Sequence, residues 1–271
     1  MKYKKPFVSF PNQIEALKER GLVFEDESYA IRILETNSYY RLRAYTYPFQ
    51  DNNNPQHPFI KKVTFNEIVS LYEFDSKIRK LLFLTLEKIE IALRTEVIYH
   101  FARTYGSHWQ LDPTLFRDTA KFAKHLQSLN EEIHRSDETF IKHYAKKYDE
   151  PSQPPAWMSL EVASFGLLSK IYQNIQDGPE KRAIAHYFGL KKIKTLENWM
   201  FCFSNLRNIC AHHGRVWNRR FTSLPFLPYN NSNPFLTKKE INAVYPNKLY
   251  AVICCIYYVL NTIVPDNHFK E

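Results

Sequence analysis

The sequence predicts an all-α protein. Three observations carry that prediction. Apolar residues recur at helical spacing through several long runs. Period-2 alternation is almost absent, and no tandem repeat is visible. Six glycines in 271 residues form no phosphate-binding fingerprint, which argues against the Rossmann and P-loop classes. With 44% hydrophobic and 15% aromatic residues the chain has enough apolar surface to bury a core rather than stay disordered.

Taken in order, Ser9 or Pro11 opens a first helix through Ile14, Leu17 and Lys18, and Gly21 stops it. A second helix starts near Asp26 and carries Ala30, Ile33 and Leu34 on one face. The stretch from Asn37 to Phe49 interleaves tyrosines with Arg41 and Arg43. Those rings and guanidiniums could stack on bases and pair with phosphates. The plainer expectation is that the rings pack between helices while both arginines stay solvated. Asp51 to Pro58 is the clearest loop. It suggests an N-terminal helical segment over 1–60 and a main helical domain over 61–271, unless the two form one continuous domain.

Thr64 and Glu67 form a capping box. Beyond it Ile78, Leu82, Leu86, Ile89, Leu93, Val97 and Phe101 recur as one core-facing stripe. Lys80, Glu87, Glu90 and Arg94 read as the solvated side, with Glu90 and Arg94 a surface pair four apart. The alternative is that Glu87, Glu90 or Arg94 reaches a neighbouring site. Gly106-Ser107 breaks the pattern. A polar helix then passes Phe122, Leu126, Leu129 and Ile133. His125, His134 and His143 lack metal-ligand spacing. Asp149 to Pro155 is a second linker. Trp157 to Ile175 reads as one amphipathic helix with Trp157, Leu160, Phe165, Leu168 and Ile171 in its core face. Glu161 is expected to cap that helix's dipole rather than lie near a catalytic site. A short helix with Ile184 and Phe188 follows Asp177-Gly178-Pro179. Lys191-Lys192-Ile193-Lys194 is a basic step before the next helix, either a phosphate-contact patch or a solvated turn. Leu224 to Pro234 is irregular. Pro246-Asn247 opens a last helix with Leu249, Val252, Ile253, Ile256, Tyr257 and Leu260 along its buried stripe.

The net charge is +9 and the pI about 9.2. That balance suits RNA, DNA or another polyanion. Cys202, Cys210, Cys254 and Cys255 form no C-x-x-C pair, which fits reduced, buried thiols in a cytoplasmic protein. The basic start from Met1 to Pro6 has no apolar stretch behind it and does not read as a signal peptide. Leu249 to Leu260 is too short to span a bilayer, so no membrane is expected.

The residues with most chemistry lie together, from Ser204 to Arg220. Arg207 offers a planar fork suited to phosphate. His212 and His213 offer imidazoles that titrate near neutral pH. On a helix Asn208 and His212 share a face, and Arg207 could converge with His212 near a helix end that Gly214 terminates. Arg215, Asn218, Arg219, Arg220, Lys191 and Lys192, with Arg41 and Arg43, are candidates for contact with an RNA backbone. Each is also readable as a solvated surface group.

Arg207-Asn208-x-x-x-His212 resembles the R-x4-6-H signature of HEPN-type ribonucleases. The wider text from Arg207 to Arg219 resembles the abortive-infection AbiD/AbiF-like family of phage-defence proteins. So do Lys5 to Leu22, Asn37 to Tyr45 and Pro155 to Gly166. The resemblance implies a HEPN-like helical bundle with an added N-terminal segment, acting as a metal-independent endoribonuclease without cofactor. It implies that two copies pair their motifs in one cleft, so that the homodimer supplies both acid and base. Arg207 and His212 would be catalytic, Asn208 would orient the imidazole or its partner, and His213 would replace or assist His212 or bind phosphate. A small non-coding RNA or a neutralising antitoxin is left open as a further partner. The competing reading is a non-catalytic module that holds a small or structured RNA; a third is a protein-interaction subunit with an acidic partner.

Overall fold

A computed structural model describes residues 2, 4, 6–233 and 235–267. Met1, Tyr3 and Lys5 of the basic start, and Pro234 of the irregular loop, lie outside the described residues. The chain is mostly helical, as expected. It divides into two compact units, Met1–Lys80 and Leu81–Glu271.

In the first unit, α1 (Phe10–Lys18) has a proline in its first turn and buries Ile14 and Leu17. Gly21 follows at φ +98°, a conformation glycine adopts without strain. Helix α2 (Glu27–Asn37) is capped by Asp26, whose carboxylate accepts from the Tyr29 N–H at 3.0 Å. Helix α3 is Tyr39–Thr46. Strands β1 (Leu22–Val23) and β2 (Val63–Thr64) pair in parallel, Leu22 opposite Val63. Tyr45 is buried and donates to Asp75 at 2.5 Å, and Arg79 ion-pairs with the same carboxylate. Burial and the Asp75 carboxylate push the Tyr45 phenol well above its ordinary range. Tyr40 and Tyr47, in contrast, are exposed, so the ring-burial expectation holds for only part of this stretch.

Helix α4 (Phe65–Tyr105) starts at the expected capping box: Glu67 accepts from the Thr64 N–H at 2.7 Å, and Thr64 Oγ1 from the Glu67 N–H at 3.2 Å. In the second unit Leu82, Leu86, Ile89, Leu93, Val97 and Phe101 are all buried. On the charged side Lys80 and Glu87 are exposed as expected, but the other two residues depart from expectation. Glu90 and Arg94 are 8% and 6% exposed and pair at 2.8 Å. They are a buried pair, not a solvated face.

Helices α5 (Thr119–Arg135) and α6 (Thr139–Lys147) precede the second linker. The helix expected over Trp157 to Ile175 is broken. Helix α7 (Ala156–Ser159) ends at once, and α8 (Phe165–Asn174) starts afresh on a Ser164 cap. Side chains from elsewhere replace the missing helical hydrogen bonds. Arg94 donates to the carbonyls of Leu160 and Ala163, the latter at 2.8 Å. Glu132 accepts from the Ser164 N–H at 2.6 Å and hydroxyl at 2.9 Å. Trp157 is left half-exposed. Glu161 sits in the break, exposed, and caps no helix start.

Helix α9 (Pro179–Tyr187) buries Ile184 and Ala185. Helix α10 (Ile193–Ala211) packs on α8, on α9 and on α12 (Leu249–Ile263); α11 (Lys238–Ala243) is a short element between. Glu197 of α10 anchors the arrangement. It pairs with the fully buried Lys181, with Arg117 at 3.0 Å and with Lys194 at 2.8 Å. Lys181 also donates to the Ile175 carbonyl at 3.0 Å. Such a buried charge is tolerable only when so surrounded. No helix among the described residues is long and apolar enough to cross a membrane.

Candidate active site at the end of α10

Helix α10 delivers the motif because Leu196, Trp199, Met200, Phe203 and Leu206 bury one side of it completely. That fixes its rotation and leaves Asn208, His212 and His213 exposed. The following loop is stapled along the helix. Trp199 Nε1 donates to the Phe226 carbonyl at 2.7 Å, Asn198 accepts from the Phe226 N–H at 2.7 Å, and Asn205 donates to Ser223 Oγ at 2.9 Å.

The helix end differs from the expected glycine stop. His212 is the C-cap, and His213 takes the left-handed conformation at φ +56°. The His213 N–H bonds the Cys210 carbonyl at 3.1 Å, and the Gly214 N–H bonds the Ile209 carbonyl at 2.8 Å. This is a Schellman closure with histidine in the place glycine normally fills. Gly214 is needed for a different reason: a Cβ there would stand 3.1 Å from Ile209 Cγ2 and 3.2 Å from its carbonyl oxygen.

Arg207 points to α4. Its Nε lies 3.5 Å from Glu90 Oε2, its guanidinium carbon lies 5.7 Å from the Phe83 ring centre, and Nη1 is 3.5 Å from Asn208 Oδ1. It lines a hollow of about 210 Å³ with Phe83, Glu87, Glu90, Arg94 and Glu161. Asn208 and His212 instead line a second hollow of about 460 Å³, together with Arg219 and Arg220. Asn208 and His212 therefore do share a face. Arg207 and His212 do not converge within one chain. Five residues of helix separate them by about 140°, and they open onto different hollows.

Among the other candidates, Arg219 Nη1 donates to the Arg215 carbonyl at 3.3 Å, and Lys248 donates to Asn218 Oδ1 at 3.2 Å. Asn218 is also left-handed, at φ +48°. These residues form the turn just beyond the motif. Lys191 and Lys192 sit at the opposite end of α10, about 30 Å away at 1.5 Å per residue; Lys191 donates to Asn230 Oδ1 at 2.7 Å. Arg41 and Arg43 belong to α3 of the first unit. Glu161 joins the Arg207 hollow, the role ranked second for it from sequence. Among the described residues no group of three or more His, Cys, Asp or Glu side chains could hold a metal ion.

No curated protein and no solved structure matches the chain. A family model does match, over residues 32–218, a span that contains α4, the broken α7–α8 segment and the whole of α10 with its closing turn. On that match the chain belongs to the family of Abi-like proteins.

Proposed function

We propose that this protein is an endoribonuclease of abortive-infection phage defence, with a HEPN-like composite site formed by two copies of the chain. The observation that carries the reading is the end of α10: Arg207 set against a carboxylate on one side of the helix, with His212 and His213 exposed on another, inside the family span. An RNA strand can reach such a helix tip.

The chemistry needs no metal and no cofactor. The 2′-hydroxyl of RNA attacks its adjacent phosphorus while an imidazole takes its proton. The bond to the 5′-oxygen breaks, a second imidazole returns a proton to it, and a 2′,3′-cyclic phosphate remains. The guanidinium of Arg207 meets the charge that grows on the non-bridging oxygens. Because Arg207 and His212 open onto different sides of α10, one chain poorly supplies both functions to one phosphate. A two-fold pairing of helix tips would set the arginine of one copy against the histidine of the other. Arg219 and Arg220, which share the hollow with His212, would hold flanking phosphates.

The test is incubation of the purified protein with total RNA under chelator, with the ends mapped. We expect cyclic-phosphate ends from the wild type and none from Arg207→Ala or His212→Ala. Cleavage that persists in both folded variants would overturn the assignment. Binding that weakens with salt but yields no product would favour the RNA-holding module instead.

A further inference from the structure

The hollow behind Arg207 is built from three carboxylates and two guanidiniums: Glu87, Glu90, Glu161, Arg94 and Arg207. Its formal charge is negative. A phosphate would be repelled from its interior, so this is not where substrate sits. Its contacts instead run in a chain. The Leu160 and Ala163 carbonyls, freed by the helix break, hold Arg94. Arg94 Nη2 donates to Glu90 Oε1 at 2.8 Å. Glu90 Oε2 faces Arg207 Nε at 3.5 Å. The same guanidinium stands over the Phe83 ring, 5.7 Å from its centre.

We infer that Glu90 is the positioning residue of Arg207, held in turn by Arg94 and the α7–α8 break. The geometry gives the reason. Glu90 Oε2 stands beside the inner nitrogen of the guanidinium and Asn208 Oδ1 accepts from Nη1, which leaves Nη2 and the second hydrogen of Nη1 to meet a phosphate. A long, flexible side chain is thereby set before substrate arrives, which is where orientation gains rate. Glu90 needs only one oxygen to balance Arg94. The second oxygen is what ties the buried pair to the motif.

The role assigned to Glu90 in catalysis rests on the endoribonuclease reading, whereas the contact itself does not. Two measurements on the full chain separate them. The first is the ¹⁵N-edited signal of the Arg207 Nε–H, identified by its loss in Arg207→Lys. We expect it to exchange slowly with water in the wild type and at least about tenfold faster in Glu90→Gln, as an orienting partner is removed. Glu90→Asp, which keeps the charge but withdraws it by one methylene, serves if Glu90→Gln does not fold. An unchanged exchange rate in a folded variant overturns the inference, whatever the activity. The second measurement is kinetic. Glu90→Gln should lower kcat roughly tenfold to a hundredfold with KM nearly unchanged. If the wild type does not cleave RNA but the Nε–H signal responds as expected, the positioning contact stands and only the endoribonuclease reading fails. If it cleaves, loses activity in Arg207→Ala, and ignores Glu90→Gln in both measurements, the inference alone fails.

Discussion

His213 occupies a backbone conformation that favours glycine, and this makes a quantitative prediction. Its φ of +56° costs an L-residue about 1–2 kcal/mol relative to the right-handed helix. Glycine escapes that cost but loses more conformational entropy on folding, by about 0.5–1 kcal/mol. The two substitutions His213→Gly and His213→Ala both remove the imidazole and whatever it contacts. Their difference isolates the backbone. We expect His213→Gly to be the more stable by about 1 kcal/mol, read as a rise of about 2–4 °C in Tm for a domain of this size. Gly214→Ala should do the reverse. Its new Cβ would press on Ile209 at 3.1–3.2 Å, at a cost of about 1–3 kcal/mol. Thermal unfolding of the three variants against wild type is the assay. If His213→Gly proves no more stable than His213→Ala, or if Gly214→Ala is neutral, the closing turn is not built as described here. Strain of this kind often persists where function needs it. His213→Gly should then cleave RNA more slowly than the wild type even though its backbone is relieved, and normal cleavage would place the chemistry on His212 alone.

Three further outcomes follow from the packing. Glu197→Gln removes the carboxylate shared by Lys181, Arg117 and Lys194 and should cost about 3 kcal/mol; a denaturant midpoint equal to wild type would show that the cluster is not coupled to folding. The Lys121 N–H bonded to the Asp118 cap holds that carboxyl below its ordinary value of 3.8. A depressed folded value means the stabilisation is complete above about pH 4 and is lost as pH falls through the folded value. Asp118→Asn keeps a capping side chain and should flatten this part of the acid-unfolding profile; an unaltered profile contradicts the assignment. Burial pushes the Cys202 thiol up to about 12 and Cys255 well above its usual range. A thiol reagent at pH 8 should label both only after denaturation, and rapid labelling of the native protein would refute their burial.

Local pattern alone was enough for the elements whose signals are local. The helix start near Asp26, the Thr64–Glu67 box and the stripe from Leu82 to Phe101 depend on neighbours within one helix, and each stands as read. The same reasoning failed where tertiary contacts outweigh periodicity. Trp157 to Ile175 has a helical pattern, yet Arg94 and Glu132 satisfy the backbone of residues 160–164 and the helix breaks. Glu90 and Arg94 have the spacing of a surface pair, and spacing cannot say that carbonyls from a distant segment wait for Arg94. The missed helices α6 and α11 are short, with too few apolar positions to show a period.

At the site, the sequence by itself singled out the candidates: Arg207, Asn208, His212 and His213 are chosen by type and by position near a helix end. It also determined that Asn208 and His212 share a face, because a four-residue step on a helix allows nothing else. Only the tertiary structure decided that Arg207 turns away from His212 toward Glu90, since that depends on where α4 lies against α10. It alone decided that His213, not Gly214, takes the left-handed place that closes the helix, while Ile209 fills the space a side chain at Gly214 would need. Spacing along a chain fixes angles about one helix axis; what stands on the far side of each angle is set by the packing of helices remote in sequence.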